Sequence, residues 1–569
     1  MKKLGKNKKW YIIISVISVF AIVNLVVIQY KLVHGNEQFI GAYINGKYSE
    51  TLPSKGSGYA VEKIVCENNK NASWDYDKWG IKFSAWNSKD RCNIYFNSLE
   101  TFKIANKTFY LDEMHKCPSI DNGGFLTVTN KEDKYGYLCK AKDNYGDSYY
   151  YRGTVTNNYV KFGSWESGIV YGYYSESSSS YRKYYSMDAC QNASSYNKKC
   201  TVIREENASM YWRIIRINGD GTVRVIYDGT SAHANGDDSE DRQIGEVKFN
   251  EPWRKDDYID SVYAHTYDDN AGVGYKYGNR DGVVERQIGN NFSTYESSKT
   301  YYISKEYVYS NGEFSMKDPI GVLGSAMTND YIGYYTFNST SAGGSSKQMI
   351  YKITNISLNS RGTKVDYKYL LYGTTSKEQA QMNTNSSEIK RYIDDWYYDN
   401  ISGTSDEQYV MDNIFCNDRS LNSDIPNDYT NNGYGLEPTA YRLYNLENNS
   451  IKKMTLTCLQ KNDAFTVNDT VNGNGALEYE VGLITADEVI LSGGWYSDNP
   501  NYYLYTGNNY WTMSPSYFDG ERAEAYYVFS PGDISSILVN GEYGARPVLN
   551  LSADILNNGS GTKDDPYHV

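Results

Sequence analysis

The sequence predicts an α/β (α+β) fold with long loop insertions, preceded by a membrane-spanning helix and a small all-β module. Three observations carry this expectation. From Tyr479 to Leu551 a short capped helix is followed by several short antiparallel strand candidates, bounded by glycine, asparagine and proline. Between 385 and 398 the apolar residues return at helical spacing. Residues 10–30 form an uncharged apolar run, close to the ~20 residues a helix needs to cross hydrocarbon.

Composition bounds the function classes. The 569 residues suffice for more than one domain. With 40% hydrophobic and 22% charged residues the chain is folded rather than disordered. Its 60 tyrosines suit half-buried sheets and recognition surfaces, since each ring is large and rigid with a polar tip. A net charge of -12 and a pI near 5.2 argue against a general nucleic-acid binder, because no broad positive field attracts phosphates. The five histidines, His34, His115, His233, His265 and His568, contain no helical zinc pair, and His233 and His265 read as surface residues.

In chain order, residues 1–9 carry five lysines and read as a cytoplasmic tail. Residues 10–30 read as an uncleaved signal anchor, because no small-x-small cleavage site follows. The expected placement is the cell membrane, single-pass, with the rest of the chain extracellular. Residues 38–100 read as a small β domain with strands in FIGAYING, YAVEKIVC, WGIKFSAW and CNIYF. Cys66 and Cys92 lie in the second and fourth of these, where a disulfide would staple a unit too small to hold itself by its core alone.

Residues 101–150 read as a disulfide-bearing transition with Cys117 and Cys139. Cys190 and Cys200 enclose a short polar loop, and Cys416 and Cys458 remain. Eight cysteines allow about 105 connectivities; pairing of near neighbours is the expectation, and the absence of CxxC favours structural bonds over redox chemistry.

The main domain spans 151–552, with insertions at about 164–208 and 231–385 and a C-terminal tail over 553–569. Its clearest local signal is YWRIIRINGDGTVRVIYDG, where Asn218-Gly219-Asp220-Gly221 supplies the positive φ angles of a hairpin turn. A helix follows through SSEIKRYIDDWYYDN, with Asn385 as its cap and Ile389, Ile393, Trp396 and Tyr397 on one face. Thr404 with Glu407 opens a second, short helix, and Thr485 with Glu488 forms a capping box before ADEVILS. The Asn-Asp steps after Cys416 and Cys458 make Asp418 and Asp463 the weak candidates for a calcium site. Arg546 reads as a structural arginine tying a loop to the last strand.

Taken together, YWRIIRINGDGTVRVIYDG, TSAHANG, RQIG, FCNDRS, KNDAFTVNDT, VGLITADEV, YYLYTG, YWTMSP, GARPVLNL and GSGTKDDPY resemble a family of surface proteins of Firmicutes-like bacteria. Their C-terminal domain is similar to the C-type lectin-like fold shared with formylglycine-generating enzymes and retroelement-diversified receptors. The resemblance implies an α/β domain whose first and last strands lie together, Tyr211–Ile217 pairing near Pro547–Leu551, with helices near 386–398 and 486–492. It also implies a binding face of Tyr510, Trp511, Tyr517, Phe518, Glu521, Arg522, Tyr526 and Tyr527, whose rigid rings and few charges suit recognition. The EPN and QPD tripeptides of calcium-dependent lectins are missing, and Glu437-Pro438-Thr439 only approximates them. Cys416 and Cys458 do not match the catalytic cysteines of formylglycine-generating enzymes. Neither calcium-dependent lectin activity nor thiol oxidation is carried over.

The expected function is therefore recognition or adhesion of a surface protein or glycan, with no catalytic residue. HExxH, GxSxG and phosphate-cradling motifs are absent from the sequence. The alternatives are a glycan-processing enzyme with paired carboxylates, drawn from Asp418, Asp463, Asp487 and Glu521, or a non-catalytic envelope component.

Overall fold

The computed structural model describes residues 40–250, 270–420 and 453–569, less 56, 68–71, 76–77, 83–90, 112–116, 176–179, 194–198 and 519–522, and between 280 and 376 only strand backbone. Strands take 42% and helices 13%, which corrects the α/β expectation: the class is mainly β. The difference arises chiefly in the insertion at about 231–385, where eight strands between 282 and 374 join in one antiparallel sheet. No helix among the described residues is long and apolar enough to cross a membrane. The single-pass membrane expectation is corrected on that finding, and the segment 10–30 on which it rested lies outside the described residues.

The chain divides into a small unit ending at Cys117 and a large unit from Pro118 to Val569 that also takes Lys103–Lys107. In the small unit, β1 (Ile40–Ile44), β2 (Lys47–Ser49), β3 (Tyr59–Cys66) and β4 (Cys92–Ser98) form a sheet in the order β2-β1-β4-β3. Asn45 and Gly46 join the first two at φ 48° and 78°, the paired positive values that match the strand twist in a two-residue hairpin. Alternation along β4 puts Ile94 and Phe96 into a core with Ala42, Val61 and Trp74. Cys66 and Cys92 face each other across β3 and β4 and are bonded.

The large unit is built on β5 (Gly136–Asp143), β6 (Gly146–Gly153), β7 (Tyr159–Trp165), β8 (Val170–Ser175), β9 (Ser180–Tyr184), β10 (Thr201–Arg204), β11 (Ala208–Ile217), β12 (Val223–Gly229) and β13 (Gly245–Lys248). After the eight-stranded sheet come helix α1 (Glu388–Asn400), helix α2 (Ala486–Leu491), β14 (Tyr510–Phe518), β15 (Ala523–Phe529), β16 (Asp533–Leu538), β17 (Glu542–Ala545) and β18 (Val548–Leu551). The central sheet runs β5-β6-β11-β12-β18, with β7 also paired to β11. A second sheet runs β13-β17-β14-β15-β16, and a third, of three strands, runs β9-β8-β10.

Residues 136–150, expected in a transition segment, thus belong with 151–153 to the central sheet. The β11–β12 hairpin turns where expected: Gly221 sits at φ 88° and donates to the Asn218 carbonyl, while Asp220 accepts from the Thr222 amide and hydroxyl. The strand next to β18 is β12, Ile226 opposite Val548, so β11 and the last strand share a sheet with one strand between them. The tail joins the fold as well: Tyr567 donates to the Tyr159 carbonyl and accepts from the Lys161 amide.

Helix α1 buries Ile389, Ile393, Trp396 and Tyr397, with Trp396 packed edgewise on Trp212 and Tyr227. Its cap is Ser387 rather than Asn385, since Asn385–Ser386 pairs as a strand with Lys276–Tyr277 and takes the cap position out of the preceding turn. The short helix expected at Thr404 is a single 3-10 turn, Glu407–Tyr409. Helix α2 carries the predicted capping box: Thr485 Oγ1 accepts from the Glu488 amide and Glu488 accepts from the Thr485 amide. All eight cysteines are bonded, Cys190 to Cys200 and Cys416 to Cys458 within the large unit.

Candidate functional site

Two buried carboxylates organise the arginines of the central sheet. Asp228, at the end of β12, accepts from Arg242 Nε and Nη2 at 3.0 and 2.8 Å and from Arg546 Nη2 at 2.8 Å, with Arg213 Nη1 4.0 Å from its second oxygen. Arg546 also donates to the Tyr227 and Leu504 carbonyls, which makes it the structural tie expected of it. Glu488, from α2, pairs with Arg224 Nε at 2.7 Å and Arg216 Nε at 3.4 Å. Burial lowers the Arg224 guanidinium to about 10, partly offset by Glu488; burial works to raise Glu488, and the two arginines outweigh it and hold its carboxyl below the usual range.

Beside this second cluster lies an inner cavity of about 20 Å³ lined by Arg216, Arg224, Asp418, Asp487, Glu488 and the Cys416–Cys458 side of the fold. It does bring Asp418 and Asp487 together, as the glycan-processing alternative requires. At about 20 Å³ this cavity has room for one water, which needs roughly 10–15 Å³, and not for a sugar ring. Asp463 is elsewhere, its oxygens taken by the Arg419 amide and Nε at 2.7 and 2.8 Å. Held as an arginine's counterion, it does not join Asp418 in a cation site. Among the described residues no three or more metal-binding side chains gather to hold an ion.

The aromatic face is also corrected. Tyr510 and Trp511 are 0% exposed, and Tyr526 and Tyr527 are 4% and 6% exposed. Trp511 Nε1 donates to the Val247 carbonyl at 2.8 Å and its ring packs on Phe249, Tyr527 and Tyr543. The rings are covered by the groups packed on them, Phe249 and Tyr543 on Trp511 and the Arg546 guanidinium 4.8 Å from the centre of the Tyr510 ring, so they serve the core. Tyr517 and Phe518 close β14; Glu521 and Arg522 lie outside the described residues.

The surface feature with the size of a ligand site lies instead around the loop that follows β12. Gly229, at φ 117°, leaves room for the loop to fold back: a Cβ there would sit 2.7 Å from Asp241 Oδ2 and 2.8 Å from His233 Nε2. His233, expected on the surface, is 6% exposed. Its Nδ1 meets Asp237 Oδ2 at 2.9 Å, and its Nε2 meets Asp241 Oδ1 at 2.7 Å and Ser231 Oγ at 3.1 Å. Burial works to lower the His233 pKa, but Asp241 and Asp237 outweigh it and raise it above 6.5. Burial works to raise Asp241, and His233, Ser239 and Thr230 outweigh that and depress it. The spacing His233, Asp237, Asp241 was present in the sequence, but only the backward fold of the loop puts one carboxylate on each ring nitrogen.

Ser231, His233 and Asp237 contain the atoms of a hydrolytic triad. A base, however, needs a free Nε2 lone pair, and here Asp241 holds that nitrogen as a donor. The arrangement is a clamp around an imidazolium, not an activated nucleophile. The sign of its pH dependence follows from both shifts. The His233 contribution is complete below 6.5 and is lost as pH rises through its raised value; that of Asp241 is complete above 3.8 and is lost as pH falls through its depressed value. The stability difference between the wild type and His233→Gln is therefore expected to be greatest from pH 3.8 to 6.5 and to shrink at higher pH. Urea unfolding across pH measures it, and a difference that does not vary with pH would refute the clamp.

The loop forms one wall of a cleft of about 720 Å³, within the size range of ligand sites. Asp237, Asp238, Ser239, Glu240 and Asp241 line that wall, Thr201, Val202 and Ile203 of β10 the other, with Tyr174, Gly507 and Asn508 completing it. Gly507, at φ 72°, lets the chain pass close, since a Cβ would meet Asp238 Cβ at 2.5 Å. Glu240 is paired with Lys183 at 3.3 Å and Asp241 with His233. Asp238 is exposed and makes no ion pair among the described residues, so the wall keeps an excess of negative charge.

Fold and site together define a disulfide-bonded, mainly β protein with an acidic surface cleft. The chain matches no protein-family model, no curated protein and no solved structure.

Proposed function

We propose that this is a non-catalytic recognition protein that binds a protein or glycan ligand in the cleft between β10 and the Asp237–Asp241 loop. The observation that carries the reading is a cleft of ligand size whose acidic wall leaves Asp238 exposed and without an ion pair among the described residues, beside a histidine whose two nitrogens are both occupied. Carboxylates at such a rim set partner choice, association rate and salt dependence. The sequence resemblance to bacterial surface proteins agrees with this role, and recognition requires none of the chemistry that the clamp and the inner cavity fail to provide.

The test is a screen of the full chain against surface proteins and glycans, repeated with Asp238→Arg. Charge reversal at this exposed position is expected to weaken the selected ligand about tenfold, equivalent to ~1.4 kcal/mol, and to flatten the salt dependence. Unchanged affinity with Asp238→Arg would remove the cleft as the site.

A further inference from the structure

The cleft has a second property that identifies the kind of ligand. Strand β10 is the outer strand of its sheet, paired to β8 on one side alone among the described residues. An outer strand carries backbone donors and acceptors that a further strand can satisfy. Natural sheets usually protect such edges with lysine, proline or inward charge; Thr201-Val202-Ile203 has none of these, and the inward charge of this strand, Arg204, stands at its far end. Two features hold this edge in place. Cys200, just before it, is bonded to Cys190. At the far end Arg204 is buried, its guanidinium over the Trp165 ring at 4.6 Å and donating to the carbonyls of Glu240, Asp241, Gln243 and Ile244. That anchor ties β10 to the opposite wall and closes the cleft at this end, so access is from the Thr201 and Tyr174 side. Val202 and Tyr174 are 43% and 47% exposed there, unusual for large side chains flanking an acidic loop.

We infer that the ligand is an extended peptide segment of a partner protein, added as a strand along β10, with basic side chains at alternate positions facing the Asp237–Asp241 loop. The inference rests on the recognition function proposed above and names its ligand class. The geometry accounts for each part. The three residues of β10 that line the cleft, Thr201–Ile203, extend about 10 Å, which accommodates a peptide stretch of similar length. In an extended strand alternate side chains point to opposite sides; one set meets the carboxylates of Asp237, Asp238 and Glu240, and the other meets Val202 and Tyr174. Backbone pairing supplies affinity and the side chains supply selectivity, the division of labour in strand addition. A glycan offers neither the cationic groups nor the amide ladder.

The experiment titrates the full chain with a short peptide of alternating lysine and valine, and with the same sequence N-methylated on the alternate amides that would face β10. Both carry the same charge, so their comparison isolates the backbone ladder. The expected result is binding of the unmethylated peptide, about tenfold or greater loss on methylation, a comparable loss in Asp238→Arg, and slowed amide exchange at 201–203. Equal binding of the two peptides would overturn strand addition and leave only charge attraction. No binding of either peptide, while a glycan or folded protein binds and is weakened by Asp238→Arg, would overturn the peptide inference and keep the cleft as a recognition site. Ligand binding that ignores Asp238→Arg would overturn both.

Discussion

Asp228→Ala is expected to destabilise the large unit by roughly 3–5 kcal/mol, the cost of leaving a buried charge without its partner. Asp228 is 0% exposed and stands among Arg213, Arg242 and Arg546, exposed 0%, 0% and 1%. Each arginine is partly satisfied by carbonyls or amide oxygens, Arg213 by Val155, Asn158 and Asn235, but these dipoles do not replace the one formal negative charge. Burial already lowers the pKa of Arg213 and of Arg546, an effect that Asp228 counters. Urea unfolding followed by tryptophan fluorescence gives the loss directly. In the double variant Asp228→Ala with Arg242→Met the loss is expected to be smaller than the sum of the single losses, because the groups share one network. A loss under about 1 kcal/mol for Asp228→Ala would show that the backbone dipoles suffice.

Trp511→Ala is expected to cost about 3–5 kcal/mol, the range for emptying a buried aromatic site. The ring fills the space between Phe249, Tyr527 and Tyr543, and its Nε1 is the donor to Val247 O. Trp511→Phe keeps most of the volume and is expected to lose about 1–3 kcal/mol through the unsatisfied carbonyl and the smaller ring. A ligand-facing Trp511 predicts the reverse pattern, with unchanged unfolding and lost binding. The same denaturation series therefore separates a core residue from a contact residue.

Much of the local structure was legible in the chain. The Asn218–Gly221 reversal, the Thr485–Glu488 capping box and the apolar face of α1 each depend on residues a few positions apart, whose conformations and hydrogen bonds are settled within one turn. The near-neighbour cysteine pairs were legible for a related reason, since short separations close at the lowest entropic cost. The clamp was only half legible: His233, Asp237 and Asp241 are close in sequence, but their convergence depends on the turn at Gly229 and on Tyr159, whose hydroxyl donates to the His233 carbonyl.

By itself, then, the sequence determined where the β11–β12 hairpin turns, where α2 begins, which face of α1 is apolar and that cysteines near in sequence pair, because those outcomes are governed by short-range sterics and hydrogen bonding. Tertiary structure alone decided which faces of β14 and β15 are covered, that the strands between 282 and 374 assemble into one eight-stranded sheet, and that Asp228 and Arg546 meet across 318 positions. An aromatic strand reads alike whether it borders water or another layer. Only the assembled sheets set the desolvation that turns the Trp511 ring into core and leaves the Asp238 carboxylate at the surface.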